Sequence, residues 1–160
     1  MEASLCREHL AELIHEELKL LANLYRLLEQ ERTVIASGDL KALERSTAER
    51  QAQVAALAHT EAQRNSLCSL HGQSADAAGL AHILRWCDPK GTLSVPLRDC
   101  RERALKCRQL NDRNGLMVSA HLKRVDERLR ALRGRTDRAA TYGPRGALAG
   151  SHAGRMLGSV

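Results

Sequence analysis

From Ser94 to Gly134 the sequence reads SVPLRDCRERALKCRQLNDRNGLMVSAHLKRVDERLRALRG, in which apolar or small residues recur at steps of three and four. These steps match the 3.6-residue turn of an α-helix, so one face of the segment is predicted to point inward. Ser94 is a favourable N-cap, and Pro96 is tolerated in a first helical turn. The segment therefore predicts one helix from about residue 94 to about residue 133, roughly 60 Å long at 1.5 Å per residue. The predicted inward positions are Leu97, Cys100, Ala104, Cys107, Asn111, Asn114, Val118, Leu122, Val125, Leu129 and Leu132.

A second long helix is predicted at the N-terminal end, over about residues 4–37. Two neighbouring columns of aliphatic residues repeat every seven residues there, and so broad an apolar face predicts helical partners on two sides. Gly38 favours the left-handed conformation that ends a helix, and Asp39 can cap the next one. The columns are Leu13, Leu20, Leu27 and Val34, and beside them Ile14, Leu21, Leu28 and Ile35.

The short connection at Gly38 predicts that the next helix, about residues 39–71, runs antiparallel to the first. Its apolar stripe is weaker and rich in alanine. A loop and then a short helix over about residues 77–87 follow, before the turn signal Asp88-Pro89-Lys90-Gly91. With 43% apolar residues and 2% aromatic residues, the chain is predicted to be all-α. We expect an antiparallel three-helix bundle or coiled coil over residues 1–134, with a short extra helix in the second connection.

The C-terminal residues 135–160 form a glycine-rich segment that we expect to be flexible on its own. Each interior glycine costs a helix about 1 kcal/mol relative to alanine. An apolar face at helical spacing nevertheless contains Leu148, Met156, Leu157 and Val160. These residues predict a segment that folds against a partner; the alternative is a tail without a binding role.

Asn111 and Asn114 fall on the predicted inward face of the long helix, where an amide without a hydrogen-bond partner costs about 1–3 kcal/mol. One interpretation is a buried polar layer that fixes the register of the helices, as single asparagines do in coiled coils. The other is a polar contact to a bound partner.

The charge of the chain is unevenly distributed. The net charge is +6 and the isoelectric point is about 9.4. Residues 2–36 contain seven Glu and four Lys or Arg, a net −3, whereas residues 98–138 contain thirteen Lys or Arg and six Asp or Glu, a net +7. The basic segment permits a nucleic-acid partner, but it contains no aromatic residue for base stacking and is interrupted by acids, so nucleic-acid binding is not favoured.

No catalytic site, metal site, cofactor or small-molecule substrate is predicted, and we do not expect an enzyme. The segment His15-Glu16-Glu17-Leu18-Lys19 begins as a zinc-binding H-E-x-x-H motif but lacks the second histidine. The five cysteines include no C-x-x-C pair and are expected to be reduced core residues. Since the chain has no apolar signal segment and no apolar run long enough to cross a bilayer, we expect a cytoplasmic protein without membrane insertion.

Several short motifs in order along the chain resemble those of the FlgN-type flagellar export chaperones. The match extends over about residues 10–146. The motifs are Gly38-Asp39-Leu40-x-x-Leu43-Glu44, Glu49-Arg50, Glu61-x-x-Arg64, Asn111-x-x-Asn114-Gly115 and Thr141-Tyr142-Gly143-Pro144-x-Gly146.

The resemblance implies a cytoplasmic chaperone of the flagellar type III secretion system. Such a chaperone binds the amphipathic C-terminal helices of hook-associated proteins 1 and 3, the hook–filament junction proteins. It prevents their premature assembly and delivers them to the export gate. The resemblance also implies that the chaperone's own C-terminal part binds the client, which makes Leu148, Met156, Leu157 and Val160 the candidate client-binding residues. Tyr142 is a candidate contact to export-gate components; alternatively, it packs on the end of the bundle. Two other functions remain open: a generic antiparallel coiled-coil scaffold, and a basic helical nucleic-acid-binding protein.

Overall fold

A computed structural model describes the backbone of residues 2–140 and the side chains of residues 2–133. Its helices are α1 (Ala3–Ser37), α2 (Leu40–Leu70), α3 (Ala77–Cys87) and α4 (Ser94–Ala140), and the described residues contain no strand. The all-α class and the helical bundle are therefore confirmed. The chain divides into two compact units, Met1–Val118 and Ser119–Val160. Residues 141–160 lie outside the described part.

The predicted caps separate α1 from α2. Gly38 has a φ of 74°, and its N–H donates to the carbonyl oxygens of Val34 and Ile35. The carboxylate of Asp39 accepts a hydrogen bond from the N–H of Ala42 at 3.0 Å, which satisfies one of the free donors at the start of α2. Two residues thus suffice to reverse the direction of the chain.

The helix α1 runs antiparallel to α2 and parallel to α4. As residue numbers rise along α1, the ion-pair partners on α2 fall, from Arg64 opposite Glu17 to Arg50 opposite Glu31. In the hydrogen bonds from α4 to α1, by contrast, the residue numbers of both helices rise together. Cys100 contacts the carbonyl oxygen of Ile14, and Asn114 contacts that of Leu28. This is the up-down-up order that a three-helix bundle requires.

The core of the first unit is aliphatic and contains cysteine. Both predicted columns of α1 are buried except for Val34, which is half-buried. The short helix α3 adds apolar side chains to the same core, so it closes one end of the bundle. The buried core from the other helices consists of Leu67, Cys68, Leu80, Ile83, Cys87, Leu93, Leu97, Cys100, Cys107 and Leu110.

The inward face of α4 was only partly predicted. Leu97, Cys100, Cys107 and Asn114 are buried as expected, and Leu110, which was not expected to point inward, is buried as well. Ala104 and Asn111 are exposed, because each of them lines a cavity instead of packing in the core. Four further positions, Leu122, Val125, Leu129 and Leu132, were expected inward and are exposed. In their unit the described side chains belong to one helical segment, and a single helix cannot bury its own apolar face.

The C-terminal end of α4 also differs from the prediction. The helix continues through Gly134 as far as Ala140, the last residue that the structure describes, because one interior glycine weakens a helix by about 1 kcal/mol without breaking it. Among the described residues, no helix has the continuous apolar length needed to cross a membrane.

Candidate functional site

A buried polar layer lies within the first unit and involves α1, α2 and α4. Asn114 is 3% exposed, and its amide nitrogen donates two hydrogen bonds, to the carbonyl oxygen of Leu28 at 2.9 Å and to Oε2 of Glu31 at 3.1 Å. Both partners are acceptors, so the orientation of the amide follows from the contacts. Asn114 is thus buried and hydrogen-bonded, while its role in fixing the register of the helices stays a prediction.

Glu31 is the acidic centre of this layer. It is 5% exposed, and its Oε1 accepts a hydrogen bond from Nε of Arg50 at 3.2 Å. Arg50 in turn donates from Nη1 to Oδ1 of Asn111 at 3.3 Å. A buried carboxylate is costly unless a cation and hydrogen-bond donors compensate it. Here the guanidinium of α2 and the amide of α4 together supply that compensation.

A cavity of about 430 Å³ adjoins the layer. Oδ1 of Asn114 is buried and has no hydrogen-bond partner among the described residues. The cavity thus presents apolar walls, two amide groups and the Glu31–Arg50 ion pair, an arrangement that can receive a side chain with a polar end. Its lining residues are Glu31, Ile35, Leu43, Thr47, Arg50, Asn111, Asn114, Gly115 and Val118.

A second ion pair also joins α1 to α2. Each of its two residues is fourteen positions away from the corresponding residue of the Glu31–Arg50 pair. Nη1 of Arg64 lies 2.5 Å from Oε2 of Glu17, and both side chains are about four-fifths buried. The motifs at Arg50 and Arg64 were identified in the sequence, but their acidic partners were missed. The signal was available, since Glu31 follows Leu24 and Leu28 at helical spacing and precedes Ile35 by four residues.

The cysteines are buried, and their thiols are not reactive nucleophiles. All five are free and lie in the core. Burial raises the pKa of the Cys87 thiol and that of the Cys100 thiol to about 11 in each case, with the carboxylate of Glu17 adding to the shift at Cys100. At neutral pH these groups are thiols rather than nucleophilic thiolates. In the described part of the chain, no group of three or more His, Cys, Asp or Glu residues is arranged to hold a metal ion.

The second unit presents a different kind of surface. Leu122, Val125, Leu129 and Leu132 follow one another at steps of three, four and three residues, and their exposed fractions range from 41% to 63%. We call these four residues the exposed stripe. At helical spacing they share one face, which is the arrangement with which a helix binds another apolar helix.

The remaining candidate residues lie outside the described part of the chain. They are Tyr142 and the four apolar residues of the C-terminal segment, Leu148, Met156, Leu157 and Val160. Their proposed roles stay predictions. Of the two predicted register residues, Asn114 is buried in the polar layer, and Asn111 contacts Arg50 from an exposed position.

Comparison with known proteins gives a family assignment. Neither the curated proteins nor the solved structures include a significant match to this chain. A family model described as FlgN protein matches residues 1–150. That match covers all four helices and includes the polar layer and the exposed stripe. The chain belongs to the FlgN family, a family of flagellar export chaperones.

Proposed function

We propose that this protein is a cytoplasmic chaperone of the flagellar type III secretion system for hook-associated proteins 1 and 3. It binds their amphipathic C-terminal helices, prevents premature assembly and delivers them to the export gate. Membership of the FlgN family supplies the general role in flagellar protein export. The single observation that supports the mode of client binding is the exposed stripe on α4.

The exposed stripe has the size and spacing that an amphipathic helix requires of its partner. Fully burying one leucine or valine side chain contributes about 1.5–3 kcal/mol. The exposed fractions of the four residues range from 41% to 63%, so covering them supplies several kcal/mol toward binding. Helix-in-groove recognition uses anchors at i, i+3, i+4 and i+7, and the steps of the stripe are of this kind.

The C-terminal segment extends this proposal. Leu148, Met156, Leu157 and Val160 share one face at helical spacing, and we assign them further contacts to the client. Folding of this segment on the client would compensate for the cost of its glycines. Tyr142 is assigned a contact to the export gate.

Calorimetry with the C-terminal segments of hook-associated proteins 1 and 3 tests the proposal. The full chain should bind both segments, and Leu122→Ala combined with Leu129→Ala should weaken binding about tenfold or more. A matched control is Leu105→Ala with Leu116→Ala, since both leucines are exposed on α4 but lie on another face. The control should retain wild-type affinity. A wild-type chain that binds neither segment would refute the proposed function.

A further inference from the structure

The charges beside the exposed stripe identify the chemistry of its partner. We infer that the helix which docks on Leu122, Val125, Leu129 and Leu132 presents a row of carboxylates along one specific edge of its apolar face. This inference rests on the proposed function and adds the charge and orientation of the client. It concerns residues 119–133 alone and uses no other part of the molecule.

One edge of the exposed stripe is purely basic. Arg128 is three residues after Val125 and four before Leu132, so it is their neighbour on the helix surface. Arg124 lies one turn before Arg128 along the same edge. Both side chains are exposed, and no ion pair joins either of them to a carboxylate among the described residues. We call Arg124 and Arg128 the arginine edge.

The other edge of the stripe is already neutralised. Asp126 is four residues after Leu122 and three before Leu129, so it borders the stripe on the opposite side. Oδ2 of Asp126 lies 2.7 Å from Nη2 of Arg130. Arg133, four residues after Leu129, lies on this side as well and already has an interaction partner. An added acid on this side would therefore approach charges that have their partners, whereas an added acid beside the arginine edge would approach two cations.

Repulsion between the two cations of the arginine edge destabilises the helix, and an acidic partner would remove that repulsion. Like charges four residues apart on a helix repel one another and destabilise it. A carboxylate placed between Arg124 and Arg128 reverses that repulsion, and arginine can hold a carboxylate with two parallel hydrogen bonds. Because the adjacent apolar contacts exclude water, such pairs select partners more strongly than fully exposed pairs.

These contacts describe a helix with an apolar stripe and, along one side, Asp or Glu residues spaced by three or four. A neutral or basic amphipathic helix would cover the same leucines but would leave the arginine edge without a counter-charge. The selectivity is therefore electrostatic, and the apolar contacts are common to all such helices.

Three synthetic amphipathic peptides with an identical apolar stripe test the inference with the full chain. Their flanking positions on one side are Glu, Gln or Lys. Fluorescence anisotropy should give the tightest binding for the Glu peptide and about tenfold or weaker binding for the Lys peptide, with the difference shrinking as salt is raised. For the variant Arg124→Glu/Arg128→Glu the order should reverse, so that the Lys peptide binds best.

Single reversals supply the matched control. Arg128→Glu and Lys123→Glu change the net charge by the same amount, but Lys123 lies away from the stripe. Only Arg128→Glu should remove the preference for the Glu peptide. Circular dichroism of both variants verifies that α4 is retained.

Two outcomes would overturn the inference. Equal affinity for the Glu, Gln and Lys peptides, while hook-associated client segments still bind, would refute the charge selectivity and leave the proposed function intact. Binding of the arginine edge to vesicles containing phosphatidylserine, with no peptide bound, would assign the surface to a lipid headgroup instead. Failure of the native client segments to bind would refute the proposed function separately.

Discussion

The amide nitrogen of Asn114 lies 2.9 Å from the carbonyl oxygen of Leu28, and the two residues are 86 positions apart in the sequence. The same offset joins Cys107 to Leu21 at 3.5 Å and Cys100 to Ile14 at 3.7 Å. At each of these three levels, a short side chain on α4 reaches the backbone of α1. The contacts repeat every seven residues, so α1 and α4 pack in one constant register.

Removing the Asn114 amide should destabilise the protein. Asn114→Ala deprives the buried Glu31 of a donor, and leaving a buried acceptor unsatisfied costs about 1–3 kcal/mol. Urea unfolding should therefore show a loss of that size. Asn111→Ala is the matched control, because this amide is exposed and accepts one hydrogen bond from Arg50; its loss should be below about 1 kcal/mol. Equal losses for the two variants would contradict a register role specific to Asn114.

Much of this architecture could be predicted from sequence because it depends on local signals. The seven-residue columns of α1 and the turn at Gly38 each depend on residues that are close together in the sequence, and both were predicted. The burial of Glu31 could not be inferred from residue type, since its compensation comes from Arg50 and Asn114 on two other helices. Burial of an apolar position likewise depends on whether a partner covers it.

The α4 stripe illustrates that dependence. Helical spacing assigned Leu122 and Cys107 to one face, yet Leu122 is exposed and Cys107 is buried. The sequence pattern gives the direction of a side chain, and only the neighbouring elements determine its exposure. The prediction that Leu122 points into the core is therefore wrong, and the exposed stripe to which it belongs is the candidate client surface.

Removing one partner of the Glu31–Arg50 ion pair should destabilise the protein more than replacing both partners with apolar residues. Arg50→Met leaves a carboxylate that is 5% exposed without its cation, and removal of one partner of a buried pair costs about 3–5 kcal/mol. The double variant Glu31→Leu/Arg50→Met replaces the pair with apolar groups and should recover most of that loss. Urea unfolding of the wild type, both single variants and the double variant measures the coupling. Additive losses would show that the two side chains do not interact.

The buried thiols should make stability fall in alkaline solution. Burial raises the pKa of Cys87 and of Cys100 from 9.0 to about 11. The unfolded state releases these protons first, so the stabilising contribution is complete below about pH 9 and is lost as the pH rises through about 11. The free energy of unfolding, measured by urea titration, should decline across that window. Cys87→Ala/Cys100→Ala should reduce the slope; an unchanged slope would assign the decline to other groups.

Thiol labelling provides an independent check on the same cysteines. The thiolate is the reactive form, and burial raises the pKa of the Cys107 thiol as well. At pH 7–8 a disulfide reagent should modify the native protein slowly and should modify all five cysteines rapidly in denaturant. Rapid labelling of the native chain would mean that the core opens readily.

The carboxylate of Asp88 should make stability fall in acid. It is 6% exposed, and it accepts hydrogen bonds from the N–H of Leu93 and the hydroxyl of Thr92, each at 2.7 Å. Burial opposes the charged form, but these hydrogen bonds outweigh it and hold the pKa of Asp88 below its usual value of 3.8. Because the folded-state pKa is depressed, the stabilising contribution is present above the usual pKa of 3.8 and is lost as the pH falls through the folded-state pKa.

Asp88→Asn keeps the size of the side chain but removes the charge, so it should destabilise the protein at pH 7 by about 1–2 kcal/mol and flatten the acid limb of the pH–stability curve. Asp112→Asn is the control, since Asp112 is exposed on α4. An acid limb that is equally steep in the wild type and in Asp88→Asn would show that protonation elsewhere drives the loss.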